Sequence, residues 1–299
     1  MATKHPILKG LGILAVFMLV FFVVVFLFAY ITGGDPKAVA LFSGDGIGVL
    51  ELDGAIDDSR RPIEELKRFR DAKWIRAIVI RIDSPGGAVA PTQEIFEEIQ
   101  KTKKKKPLIA SMGGMATSGG YYIASACERI VANPGTLTGS IGVIMQLSNL
   151  EELMKKIGVR GYNIKSGPNK DIGSPFQPLS PEAREILQSL VDNVHSQFVS
   201  AVAKGRGLEV AKVRKIADGR VYSGAQAKEL GLVDEFGTLQ DAIELAAKRV
   251  GLEESPSVYY ARPAKENWYE KLFFGVLGNR LPAHDGGWLR YEWSPSFLH

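Results

Sequence analysis

Hydrophobic positions are spread very unevenly along the 299 residues. From residue 10 to residue 34 no side chain is charged, and Leu, Ile, Val and Phe dominate. As one helix this run measures about 37 Å, enough to cross a hydrocarbon core of about 30 Å. It is longer than the apolar region of a cleaved secretory signal, about 7–15 residues, and no small-x-small cleavage site follows it. The pattern predicts an uncleaved transmembrane anchor at 10–34. Lys4, Lys9 and the terminal amine precede it, whereas Asp35 and Lys37 cancel after it. The positive side stays in the cytosol, so 1–9 is expected inside and the chain from about Asp35 outside.

Beyond a linker at 35–47, apolar runs alternate between strand and helix spacing. Residues 48–53 and 76–83 read as strands, the second carrying Ala77-Ile-Val-Ile80 between two arginines. A helix at 91–101 sets Ile95, Phe96 and Ile99 on one face. Residues 107–112 form the next predicted strand, followed by a glycine-rich loop and a helix opening near Ser118. Short strands are expected at 130–132 and 141–145, and a helix at 150–157. Ser180-Pro181-Glu182 is a helix start, with Ser as N-cap and Pro at the first helical position. The helix it opens carries a stripe of Ile186, Leu187, Leu190, Val191, Val194, Phe198 and Val202. Such alternation predicts an α/β domain over 48–250 with a mostly parallel sheet. From 251 to 299 the aromatics, among them Trp268, Phe273, Phe274, Trp288 and Trp293, follow no period, and this tail receives no role.

Composition adds two restrictions. The net charge of +4 is small for this length, and the one dense basic cluster, Lys101 to Lys106, reads as a solvated helix end; no nucleic-acid partner is expected. The single cysteine, Cys127, has no partner for an internal disulfide and sits among small residues, where a buried inert thiol is expected. No cofactor and no metal are expected.

Candidate chemistry lies in three glycine-rich turns, each after a strand: Ser84-Pro-Gly-Gly87, Met112 to Gly120, and Thr138-Gly-Ser-Ile-Gly142. Glycine at strand ends lets the backbone approach a substrate and aim its amides at it. Ser118 stands where the second turn becomes a helix. Its hydroxyl is a candidate nucleophile, and the Gly119 and Gly87 amides are candidates for the two halves of an oxyanion hole. A plain N-cap is the competing reading.

A serine hydroxyl needs a base. Of four histidines, His5 is on the cytosolic side, His284 and His299 fall in the irregular tail, and His195 is at the boundary of a helix stripe. A Ser-His-Asp arrangement is not expected. Lysine remains, and it serves as a base only when desolvated, since its reference pKa of about 10.4 keeps it charged in water. Lys165 and Lys170, either side of Gly167-Pro168, are both candidates, and their spacing does not choose between them.

Several motifs together carry a resemblance. Ser84-Pro-Gly-Gly87, Ala116-Thr-Ser-Gly-Gly-Tyr-Tyr-Ile123, Leu137-Thr-Gly-Ser-Ile-Gly-Val-Ile144 and Ile164-Lys-Ser-Gly-Pro-Asn-Lys-Asp-Ile172 closely resemble bacterial signal peptide peptidase A in its short single-domain form. So do Lys204-Gly-Arg-Gly207, Asp218-Gly-Arg-Val-Tyr-Ser-Gly224 and Gly231-Leu-Val-Asp234, so the likeness runs from about Gly48 to Lys248. It implies a ClpP/crotonase-like α/β superhelix behind an N-terminal transmembrane helix. The implied activity is hydrolysis of remnant signal peptides by a membrane-anchored serine peptidase. On the matching positions Ser118 is the nucleophile, Lys170 the general base, Ser140 the hydroxyl that positions the lysine, and Gly87 and Gly119 the oxyanion donors. A homo-oligomeric ring at the bacterial plasma membrane, with the catalytic domain outside the cytoplasm, is implied as well. Asp83 departs from the asparagine common in relatives and adjoins the oxyanion loop.

Rival readings share the glycine turns. A crotonase-type acyl-CoA enzyme would need acidic catalytic residues and no exported domain. A silent scaffold of the same fold, or a related membrane peptidase cutting one specific membrane protein, also fits the motifs.

Overall fold

The computed structural model describes residues 16–24, 44–253, 255–262 and 290–292. The chain divides into two units, Met1–Asp45 and Gly46–His299. In the first, residues 16–24 are helical with exposed apolar side chains. The rest of the predicted anchor, the stretch 1–9, most of the linker and most of the tail lie outside the described residues. Among the described residues no helix is long and apolar enough to cross a membrane.

The second unit is a mixed α/β domain. Its sheet begins with β1 (Gly46–Asp53), followed by α1 (Arg60–Asp71), β2 (Ile75–Ser84), the short β3 (Gly86–Ala88) and α2 (Val89–Lys103). Next come β4 (Leu108–Thr117), α3 (Gly119–Ser125), β5 (Arg129–Ala132) and β6 (Leu137–Gly139). Then follow α4 (Glu151–Lys156), α5 (Pro181–Arg206), α6 (Val210–Ile216), β7 (Val221–Ser223), α7 (Gly224–Glu229), β8 (Glu235–Phe236), α8 (Leu239–Arg249), β9 (Ser257–Tyr260) and β10 (Arg290–Glu292). The eight-stranded sheet runs β7-β6-β4-β2-β1-β9, with β5 joined to β4 and β8 to β5. All of these pairs are parallel except β6–β7.

Strand β2 is apolar at consecutive positions, not alternate ones, because both faces of a parallel sheet are covered. On one face Ala77 and Val79 join Ile47, Val49, Ile109 and Val131 under Ala242, Ile243, Ala246 and Ala247 of α8. Residues Ile78, Ile80 and Ile82 on the other side are fully buried too.

The sheet forks at β4. One edge of β4 pairs with β2 along most of its length; the other pairs with β5 at Ile109–Ser111 and with β6 at Met115–Thr117. The fork lies at Gly113-Gly114, where the pattern predicted a loop. The Asp83 carboxylate accepts the Gly114 and Met115 N–H groups (3.2 and 3.1 Å), and the Thr136 hydroxyl donates to the Gly113 carbonyl (2.8 Å). These partners from outside let the strand continue through two glycines.

A second difference is the strand expected at 141–145. The structure has β6 at Leu137–Gly139 instead, and positive φ at Gly139 (78°) and Ser140 (50°) ends it. In α5 the predicted start is present: the Ser180 hydroxyl accepts the Ala183 N–H at 3.1 Å. The stripe is only half covered, since Val194, Phe198, Val199 and Val202 are buried while Ile186 and Leu190 are more than 40% exposed. The unassigned tail supplies two strands, β9 beside β1 and β10 antiparallel to β3.

Candidate active site

Ser118 is the hinge between β4 and α3, with φ 52° and ψ −113°. Among the described residues it and Ser140 are the non-glycine positions with positive φ. Such a conformation costs on the order of 1–3 kcal/mol and persists only where surrounding bonds enforce it. They do so here. The Ser118 N–H donates to the Gly139 carbonyl (2.8 Å), its carbonyl accepts from Tyr122 (2.8 Å), and the Ser140 N–H donates to the Arg220 carbonyl (2.8 Å). Pairing of Thr117 with Gly139 sets the two strained turns side by side. Both serines are buried.

The third element is β3. Its entry is held by the Ser84 hydroxyl, which accepts the Gly86 N–H at 3.1 Å. On one edge Ile56 donates to the Gly86 carbonyl (2.8 Å) and accepts from Ala88 (2.9 Å). Hydrogen-bonding directions alternate along a strand, so the N–H and C=O of Gly87 face the opposite edge. There is no room for a side chain here: a Cβ on Gly87 would meet the Ile56 carbonyl oxygen at 2.3 Å. One on Gly86 would meet the Gly119 nitrogen at 2.8 Å. The β3 backbone at Gly86 and the Gly119 nitrogen are therefore close neighbours beside Ser118.

Of the predicted site residues, Ser118, Gly119, Gly87 and Ser140 come together; Lys170 does not. It lies on an exposed turn after Gly167, whose carbonyl accepts its backbone N–H at 3.2 Å. Among the described residues its ammonium has no hydrogen-bond or ion-pair partner. Lys165 is engaged, donating to Asp171 Oδ1 (2.6 Å) and to the Pro168 carbonyl (3.0 Å). That hydrogen bond holds the Asp171 carboxyl below its ordinary value. The segment around both lysines is rich in exposed apolar side chains, including Ile144, Leu153, Ile157, Tyr162, Ile164 and Phe176. A groove of about 900 Å³ runs between Val143, Leu147, Lys165, Asp171, Leu187 and Val191, and neither Ser118, Gly87 nor Gly119 lines it. Asp83, singled out for its closeness to the oxyanion loop, spends its carboxylate on the β4 fork.

Sequence reasoning missed an aromatic cluster beside Ser118. Tyr122 stacks on Tyr291 (centroids 5.2 Å, planes 20° apart) and meets Phe96 (4.9 Å) and Phe198 (4.8 Å); Phe198 and Tyr291 are 4.7 Å apart. Phe96 and Phe198 were visible as helix-stripe residues. Tyr291 had no local signal, because its place depends on pairing with a strand about two hundred residues earlier.

The family described as Peptidase family S49 matches residues 100–253, and that described as Clp protease matches 54–136. A protein of Synechocystis sp. named as a protease is 48% identical over 209 residues, 69% of this chain and 75% of that one. One of Enterococcus faecium named as signal peptide peptidase SppA is 37% identical over 225 residues, 75% and 64% respectively. The chloroplastic serine protease SPPA of Arabidopsis thaliana is 35% identical over 74% of this chain. The match spans three quarters of the first relative, just under two thirds of the second, and 34% of the third.

Proposed function

This chain belongs to peptidase family S49 and is a serine peptidase, and we propose that it is a membrane-anchored endopeptidase that degrades remnant signal peptides with a Ser118/Lys170 pair. The observation that carries the reading is the strained Ser118 turn, with the Gly119 nitrogen beside the β3 backbone at Gly86. In the first half of the reaction Lys170 takes the Ser118 proton as the hydroxyl oxygen attacks the peptide carbonyl. The Gly87 and Gly119 N–H groups stabilise the oxygen that becomes negative. The leaving amine takes the proton, and water then hydrolyses the acyl-serine. Ser140, next to Ser118, positions the lysine amine.

A lysine acts as a base only out of water, and Lys170 is exposed within one chain. The reading therefore brings in a second copy, whose Lys170 completes each site, in a closed homo-oligomeric ring on a ClpP/crotonase-like superhelix. The exposed Ile144, Leu153, Ile157, Ile164, Ile186 and Leu190 support such an interface. Head-to-tail contacts of one surface on a different one close naturally into rings. The anchor at 10–34 and the charge bias around it support a plasma-membrane location with the domain 48–250 outside.

The test is a serine-directed phosphonate probe on the full-length protein in detergent. Labelling at Ser118 that disappears in Lys170→Ala is the expected result. Labelling at another serine, or full labelling and peptide turnover in Lys170→Ala, removes the pair.

A further inference from the structure

Three neighbouring strands of the parallel sheet, in the order β4-β2-β1, begin at one end of the domain. Hydrogen bonds tie their entries together. The Gly46 N–H that opens β1 donates to the Trp74 carbonyl just before β2 (2.8 Å). The Lys106 ammonium, just before β4, donates to the Phe69 and Ala72 carbonyls at the end of α1 (2.7 and 2.5 Å). Helices α1 and α2 each cross back to this end, as connections between parallel strands must.

The chain is strongly basic there. Residues 65–76 and 98–106 hold ten lysines and arginines against Glu65, Asp71 and Glu98, a net of +7. The whole chain carries +4, so everything else sums to −3. Basic residues in a last helical turn, here Arg68, Arg70, Lys101 and Lys103, balance the helix dipole and need no further partner. The surplus lies elsewhere. Arg68 is paired with Glu65, Arg70 with Glu98 (2.6 Å), and Asp71 is shared by Arg70 (3.0 Å) and Lys105 (3.9 Å). Lys73, in the turn before β2, and Lys104, past the end of α2, are exposed and have no carboxylate partner among the described residues. Burial lowers the Lys106 ammonium to about 8; Asp71 opposes this, while Arg76 and Lys105 add to it. Like charges are thus crowded together with too few carboxylates among them, and such a field gathers anions.

We propose that this strand-entry end of the sheet is a docking surface for the anionic headgroups of the bilayer that holds the chain. The proposal rests on the anchor inferred for 10–34. Eleven residues, 35–45, separate that anchor from β1. They extend to about 40 Å at most, so the end where β1 begins is held within that distance of lipid. Lys73, Lys104 and Lys105 then meet phosphates as point charges, each worth about fivefold in the docked population. Trp74, half-buried next to Lys73, is a ring favoured at headgroup level.

The test places full-length protein in nanodiscs of phosphatidylcholine, alone or mixed with phosphatidylglycerol. Lysine acetylation is read by peptide mass, and co-elution with the disc at high salt reports the anchor. Acetylation of Lys73, Lys104 and Lys105 is expected to fall at least about fivefold in the mixed discs and to recover at high salt. Lys212, exposed on α6, should not change. In the Lys73→Gln/Lys104→Gln variant, Lys105 is expected to react as in neutral discs, with turnover of soluble peptides unaltered. Equal acetylation in both discs, in protein that co-elutes at high salt, overturns the docking surface and leaves the anchor standing. Failure to enter neutral discs overturns the anchor. The docking surface then survives if mixed discs still bind the protein and bind the double variant about 25-fold more weakly, and falls otherwise. Protection by soluble polyphosphate without protection by phosphatidylglycerol gives this end to a soluble polyanion and overturns the proposal.

Discussion

The Lys165 ammonium lies 2.6 Å from Asp171 Oδ1, a contact that Lys170, its equal candidate by spacing alone, does not share. Lys170, five residues on, has its ammonium unengaged among the described residues, so Lys165 has a fixed carboxylate partner and Lys170 has none. Lys170→Ala is expected to lower kcat/KM by about a thousandfold or more, in the range of lost general-base catalysis. Lys165→Ala removes an exposed ion pair worth about 0–1 kcal/mol and is expected to cost under about tenfold. Peptide hydrolysis, with thermal unfolding as the control for folding, separates the two. Near-normal turnover by the Lys170 variant rejects it as the base.

Complementation tests whether one site draws on two chains. Ser118→Ala and Lys170→Ala proteins, each inactive, are unfolded together in equal amounts and reassembled. Random neighbours give about a quarter of the interfaces an intact serine and an intact lysine, so about a quarter of wild-type activity is expected. Demonstrated co-assembly with no activity means that both residues act within one chain.

Gly205 of α5 presses against the Ser125 carbonyl of α3; a Cβ there would stand 2.0 Å from that oxygen. The contact is with backbone, which does not swing aside as a long side chain does. Gly205→Ala is expected to destabilise the domain by about 1–3 kcal/mol, readable in urea unfolding. It should also lower kcat, because α3 carries Ser118 at its start. An unchanged unfolding midpoint would show that α5 shifts freely.

Cys127 is buried, and burial pushes its thiol up to about 12. In the folded protein it is expected not to react with iodoacetamide at pH 8, and to react fully in denaturant. The folded chain holds this proton from about pH 9 to 12 while the unfolded chain loses it. Stability therefore falls as pH rises through that window, by up to about 1.4 kcal/mol per pH unit. The slope should be smaller in Cys127→Ala. Equal slopes in the two proteins would place the alkaline loss on other groups.

The elements legible in the sequence are those whose causes are local. Ala77-Ile-Val-Ile80 announces a strand buried on both faces, and Ser180-Pro181-Glu182 announces the start of α5, because neighbouring residues supply the pattern and the cap. Ser118 was legible as a candidate because glycines bracket it on a strand-to-helix turn. Its φ of 52° was not, since that depends on the Gly139 carbonyl and on the pairing of β4 with β6. Strand β4 runs through Gly113-Gly114 only because Asp83 and Thr136 reach them from other parts of the chain. The strand expected at 141–145 had the right composition, but two positive-φ residues ahead of it turn the backbone away. Hydrophobic periodicity says which face of an element is apolar, not what covers it. Val194 and Phe198 are buried while Ile186 and Leu190 of the same stripe are exposed, and only packing decides that. Tyr291 is the extreme case: three residues of strand in an aperiodic tail, located by hydrogen bonds to Gly87 that no short-range pattern encodes.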